Sequence, residues 1–382
     1  MKRKSIYILL SVFCFGLIAA FYDFSVINAQ TNRTPTRVPN ALPTPTPAPQ
    51  KSASPTPAPT VSPTPEEDDD DGGIIRIDTE EVNLNVRVIN RNNRPINNLR
   101  QDEFKVYENN VLQPITSFTR AEVPTNYSLV LDNSGSLRSQ LEKIIEAGKI
   151  IVNTNKPADE TSIIRFVSRE KITIEQDFTP NKADLGEALD NLYVEGGQTA
   201  IIDAVYLAAE KVDQYENSRN PNEKKRRALI LVSDGEDRDS YYKEAQLFEL
   251  LREADVQIFV VGFVNELSKE GGFIGKSPQG KAKAFLERLA TDTGGKSYFP
   301  NSAGELTGIA QDIATELRTQ YLVSYSPTDD KKDGSFRNIK VVVGDGPNKE
   351  KRIAVTRTGR NSVGDKSSLP VLQKTNPQIK GQ

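Results

Sequence analysis

The chain has 382 residues, with no histidine, no tryptophan, one cysteine and one methionine. Without histidine it cannot run a Ser-His-Asp or Cys-His mechanism, nor build the usual histidine-containing zinc sites. A formal net charge of -3 with 26% charged residues gives no basic excess of the kind that holds nucleic acid.

Residues 1–30 read as a signal peptide or N-terminal anchor: Lys2, Arg3 and Lys4 precede an apolar run from Ile6 to about Phe21, and a more polar stretch ends in "VINAQ". Cleavage near Ala29 would export the rest, and an uncleaved run would leave a membrane anchor. The one cysteine, Cys14, lies inside this run, so a processed chain has no thiol, disulfide or thiolate metal site. The "SVF" before it lacks the small residue of a bacterial lipidation site. Residues 31–73 form a linker. Its Pro/Thr-rich part, Thr31 to Pro65, cannot bury a core and favours polyproline conformations, reaching on the order of 100 Å if fully extended. Its acidic end, Glu66 to Gly73, reads as a solvated, self-repelling block rather than a calcium site.

Order is expected from Ile74. In residues 74–122, Val82, Leu84, Val86 and Val88 alternate as in a half-buried strand. "EFKVYENN" and "VLQPITSF" then read as two strands joined by an Asn-Asn turn. The C-terminal segment 319–358 offers matching strands in "QYLVSYSP", "NIKVVVGD" and "RIAVTRTG". These flanks predict one small antiparallel β-sandwich, with the middle of the chain inserted into it. Residues 359–382 are expected to be a disordered tail.

The middle, residues 123–318, alternates strands with helical patterns. "YSLVL", "TSIIRFVS", "KITIEQDF", "RALILVSDGED" and "VQIFVVGF" read as strands, and the last amphipathic helix carries Leu306, Ile309, Ile313 and Leu317. This predicts an α/β domain with a Rossmann-like, mostly parallel sheet flanked by helices, in which ligands sit beyond the carboxyl ends of the strands. Asp132 directly follows one strand and Asp234 another, while Gly196, Gly197 and Thr199 lie just ahead of a helix. Three loops at one sheet edge thus gather two carboxylates and three hydroxyls, hard oxygen donors that suit Mg²⁺, Mn²⁺ or Ca²⁺ and disfavour zinc. The glycines let their loop bend, Glu236 and Asp237 read as solvated carboxylates, and Asp203 as a surface or supporting acceptor. "GGFIGKSPQG" is not a phosphate-binding loop, because Glu270 stands where the pattern needs its first glycine. Val264 to Gly280 reads as a long loop at the metal edge.

The set Asp132-x-Ser134-x-Ser136, Thr199 within "GGQTA" and Asp234 within "SDGED" resembles the metal-ion-dependent adhesion site (MIDAS) of von Willebrand factor type A (VWA) domains, including those in integrins. Over residues 80 to 358 the chain is similar to the VWA-related proteins of acidobacteria. The resemblance implies that Ser134, Ser136 and Thr199 reach an ion directly or through water, and that Asp132 and Asp234 supply charge, often through water. It also implies that an open coordination position takes a carboxylate from a partner. The expected function is therefore an exported, stalked, divalent-metal-dependent adhesion or protein-binding module, secreted, periplasmic or envelope-associated and not an enzyme. Its partner would be a protein, matrix or envelope ligand presenting a carboxylate. Two alternatives stay open: a Mg²⁺-dependent phosphoryl-transfer enzyme with Asp132 as nucleophile, and an envelope scaffold in which the ion is only structural.

Overall fold

The computed structural model describes residues 80–120, 123–217, 225–270 and 277–362. The export segment, Cys14, the linker with its acidic run, and residues 363–382 lie outside the described residues. Among the described residues no helix is long and apolar enough to cross a membrane.

In chain order the elements are β1 (Val82–Asn90), β2 (Phe104–Glu108), β3 (Val111–Gln113), β4 (Ile115–Thr119), β5 (Thr125–Asp132), α1 (Leu141–Asn153), β6 (Glu160–Phe166), β7 (Ile172–Thr179), α2 (Lys182–Asp190), α3 (Ile201–Asn217) and β8 (Arg226–Ser233). There follow α4 (Glu244–Ala254), β9 (Gln257–Gly262), α5 (Pro278–Asp292), β10 (Lys296–Tyr298), α6 (Leu306–Arg318), β11 (Tyr321–Tyr325), β12 (Phe336–Val343), β13 (Arg352–Val355) and β14 (Gly359–Asn361).

The central sheet has the order β10-β9-β8-β5-β6-β7, parallel except for β7, which runs antiparallel to β6. Its strands are apolar on both faces because helices cover both. Leu129 and Leu131 of β5 pack with α1, α2 and α6, whereas Val130 between them packs with α3, α4 and α5. From β5 the chain moves outward through β6 and β7, then returns to the other side of β5 as β8. The point where strand order reverses therefore lies between β5 and β8, and the crevice beyond their carboxyl ends is where such sheets bind ligands. Asp132 ends β5 and Ser233 ends β8.

The flanks form two antiparallel four-stranded sheets, β13-β1-β11-β4 and β14-β12-β2-β3. They enclose a smaller core in which Phe104, Phe118 and Tyr321 meet with ring centroids 5.0 to 5.6 Å apart. Three details differ from the sequence reading. "VLQPITSF" is two strands: Pro114 separates β3 from β4, which belong to different sheets. Proline has no N–H for a ladder, so a crossing between sheets is a suitable place for it. The expected tail is ordered at its start, since β14 pairs with Phe336–Asn338 of β12. The loop after β9 is also shorter than expected, because α5 already includes Gly280.

The insert starts at the amino end of β5 and leaves at the carboxyl end of α6, next to the flanking sheets. Arg226, the first residue of β8, donates to Asn85 of β1 and to the Leu317 and Gln320 carbonyls. Arg87 of β1 donates to Glu316 of α6 and to the Gly295 carbonyl, both at 3.1 Å. The flanking sheets thus grip the edge opposite Asp132.

Candidate metal centre

Asp132 is 1% exposed and both its oxygens are engaged. Oδ1 accepts from the Ser134 N–H at 2.9 Å, a tight turn that follows from the two-residue spacing, and Oδ2 accepts from Ser233 Oγ at 2.7 Å. Burial pushes its carboxyl up to about 6, opposed by the hydrogen bond to Ser134 and reinforced by the charge of Asp234. Ser134 Oγ and Ser136 Oγ lie 2.9 Å apart on the 3-10 turn Gly135–Leu137, which is pinned by the buried Leu137 side chain.

Backbone contacts draw the other loops in. Asn133 donates its N–H to the Phe166 carbonyl, accepts from the Glu195 N–H, and donates Nδ2 to the Tyr193 carbonyl. The Thr199 carbonyl accepts from the N–H groups of Arg238 and Asp239 at 2.8 and 3.2 Å, joining the loop before α3 to the loop after β8. In that second loop Asp234 Oδ1 accepts from the Glu236 N–H. Gly235 has φ +81°, and a Cβ there would lie 2.8 Å from Leu286 Cδ1, so the loop packs against α5 only as glycine.

Ser134, Ser136, Thr199 and Asp234 line one cavity of about 420 Å³, together with Gly196, Gly197 and Glu266, while Asp132 sits behind the serines. All five predicted residues therefore converge on one place. Among the described residues no three His, Cys, Asp or Glu side chains cluster as metal ligands, and the donors here are chiefly hydroxyls. Two close, largely buried carboxylates beside three hydroxyls fit a hard divalent cation, since a cation offsets both their desolvation and their repulsion.

Asp203 is buried and accepts from the Tyr241 and Tyr242 N–H groups, so it shapes the loop after β8. Asp237 is exposed, as expected, yet it also accepts from the Ile202 N–H and Ser240 Oγ and so organises the start of α3; partial burial raises its carboxyl. Glu236 is paired with Arg238. Sequence reasoning missed Ser233, whose hydroxyl orients Asp132 while accepting from the Gly235 N–H. The signal for it is a serine ending an otherwise apolar strand. It also missed Glu266, which reaches the cavity from the loop after β9 and accepts from Gln140 Nε2 at 2.7 Å.

An open α/β sheet with a hydroxyl- and carboxylate-bearing cavity at its switch point defines the class of this central region. Residues 128–312 match the family model of the von Willebrand factor type A domain, and this part of the chain is such a domain. An uncharacterized Synechocystis protein, sll0103, is 33% identical over 115 residues, 30% of this chain; the match spans about a quarter (26%) of that relative's length. Among solved structures, a von Willebrand factor type A protein from Catenulispora acidiphila is 12% identical, covering 75% of this chain and 74% of its own, with a TM-score of 0.40. Proximal thread matrix protein 1 from the mussel byssus, with a zinc-occupied MIDAS motif, is 21% identical, covering 55% of this chain and 50% of its own, with a TM-score of 0.39.

Proposed function

We propose that this protein is an exported binding module that captures a carboxylate-bearing protein, matrix or envelope ligand through a divalent ion, with Mg²⁺ as the first choice and Mn²⁺ or Ca²⁺ as substitutes. The observation that carries the reading is the convergence of Ser134, Ser136, Thr199 and Asp234 on one cavity with Asp132 behind them. Ser134, Ser136 and Thr199 would hold the ion, and Asp132 and Asp234 would balance its charge. Neutral hydroxyls leave such an ion electron-poor, and an ion of this kind supplies an exchangeable position for an acidic side chain. Ser233 keeps the Asp132 carboxylate turned toward Ser134, and Asn133 fixes the loop that carries both serines. The export pattern of residues 1–30 and the extended linker support display outside the cytoplasm.

The phosphoryl-transfer alternative needs Asp132 as an accessible nucleophile. Its burial, and the hydrogen bonds to both its oxygens, favour a charge-balancing role instead. Calorimetric titration with Mg²⁺, Mn²⁺, Ca²⁺ and Zn²⁺ is the test. Wild type should bind an ion, and Asp132→Asn and Ser136→Ala should each bind it at least about tenfold more weakly. A wild type that gives no metal-dependent heat ends the reading. Mg²⁺-dependent turnover of an aryl phosphate, lost in Asp132→Asn, would move it to the enzyme class. A set of envelope partners that EDTA leaves unchanged would move it to the scaffold.

A further inference from the structure

A second cleft, of about 620 Å³, shares Glu236 and Arg238 with the ion cavity, so the two are contiguous. Its opposite wall is α5. The floor is apolar: Ile202 and Ala282 are buried, and Phe285 is partly covered. This size is ordinary for a site that takes a few side chains.

Most of the charges around the cleft already have partners. Arg238 pairs with Glu236, Arg288 pairs with Glu244 at 2.6 Å and with Asp292 at 3.3 Å, and Asp237 is committed to Ile202 and Ser240. Lys281 is different. Its side chain is exposed on the cleft wall and makes no ion pair or hydrogen bond among the described residues. It also sits near the amino end of α5, where the helix dipole disfavours a cation. Among the described residues nothing uses this charge, which is therefore available to an anion.

We propose that the cleft is the second half of a two-point docking surface for an extended acidic segment of a partner protein. One carboxylate of that segment goes to the ion site, an apolar side chain lies on the Ile202, Ala282 and Phe285 floor, and a second carboxylate meets Lys281 Nζ. An apolar floor between two anion-binding points calls for acidic and apolar side chains on one strand of chain, which a peptide supplies. The inference rests on the ion-dependent reading above and names its partner's chemistry.

The test uses the full chain in Mg²⁺ with two capped tetrapeptides, Asp-Leu-Ala-Glu and Asp-Leu-Ala-Gln. Wild type should bind the Glu-ended peptide roughly tenfold more tightly, a preference that weakens as salt rises. Lys281→Ala should bind both equally, Lys281→Glu should reverse the preference, and EDTA should abolish binding of both. Lys281 is exposed, so the variants should melt like wild type. Binding of both peptides in Mg²⁺ with no preference, or a preference that survives Lys281→Glu, overturns the cleft while leaving the ion reading intact. Absence of peptide binding in a protein that binds Mg²⁺ by calorimetry overturns the docking surface as a whole. Absence of Mg²⁺ binding is the separate failure of the ion reading.

Discussion

In the central sheet every residue of β5, β6 and β9 is buried, whereas β12 of the flanking sheets alternates exposed and buried residues along its whole length. A sheet covered on both faces has little room for polar side chains within its layers, so they gather at the strand ends. Asp132, Ser134, Thr199, Ser233 and Asp234 collect at the carboxyl edge in this way. The flanking sheets have a smaller core and carry charge inside it. Glu108 accepts from Tyr325 Oη at 2.5 Å and from Arg360 Nε at 3.1 Å, with all three side chains buried. The central region gathers its two carboxyl-edge carboxylates into a site, and the flanking region uses buried charge as mortar.

The largest effect should come from the mortar between the two. Arg87 and Glu316 form a pair with side chains 5% and 2% exposed. Glu316→Ala leaves the guanidinium buried without its counter-charge, at a cost of about 3–5 kcal/mol. Urea unfolding followed by both fluorescence and circular dichroism should show this loss, with the two probes separating as the regions uncouple. A change below about 1 kcal/mol would mean that the pair does not join them.

Alkali should weaken the central region next. The Tyr127 hydroxyl, buried in the central sheet and donating to Asn155 Oδ1 at 2.7 Å, is pushed up to about 12, chiefly by burial. The unfolded chain ionises this tyrosine near its ordinary value of 10, while the folded chain keeps the proton. The stability it contributes is therefore complete below pH 10 and falls as pH rises toward 12, by on the order of 2–3 kcal/mol. Tyr325 in the flanking sheets is raised by burial as well. Tyr127→Phe should flatten the decline in thermal midpoint between pH 9.5 and 11.5, and an unchanged slope would assign the loss to the other tyrosines raised by burial, among them Tyr298 of β10 and Tyr325 of the flanking sheets.

Much of the site was legible because its signals are local. Asp132, Ser134 and Ser136 are spaced two residues apart at a strand end, and the tight turn of Ser134 N–H onto Asp132 is a direct result of that spacing. The alternation of strands and helices placed Thr199 and Asp234 at the same edge. What was hidden depends on register and on contacts distant in sequence. Nothing near Pro114 says that β3 pairs back onto β2 while β4 pairs with β11, a strand far along the chain that reaches it only once folded. In the sequence Ser233 is simply the last residue of an apolar strand, and Lys281 carries no local signal. Their meaning comes from Asp132, 101 positions away from Ser233, and from the cleft wall.

Gly235 and Gly196 make a sharper probe of the carboxyl edge. A Cβ at Gly235 meets Leu286 and must adopt φ +81°, whereas a Cβ at Gly196 has nothing within 4 Å. Gly235→Ala should cost about 1–3 kcal/mol and move Asp234, reducing Mg²⁺ affinity at least about tenfold. Gly196→Ala should leave both nearly unchanged. Equal effects would mean that the loops bend freely, and that close packing on α5 does not hold Asp234 in place.

The smallest effect belongs to charge on the helical surface. Lys143 and Glu146 of α1 are paired at 2.6 Å, yet each side chain is 49% exposed. Water already solvates both groups, the lysine loses rotamer freedom on pairing, and salt screens what attraction is left. Lys143→Ala should change stability by less than about 0.5 kcal/mol, with no dependence on salt between 0.1 and 0.5 M beyond that of wild type, on the order of the spread seen for exposed pairs. Set beside Glu316→Ala, this variant separates geometry from environment, because the shorter of the two ion pairs is expected to matter least. A Lys143→Ala loss comparable to that of Glu316→Ala would show that pairing distance, not burial, governs how charge stabilises this chain.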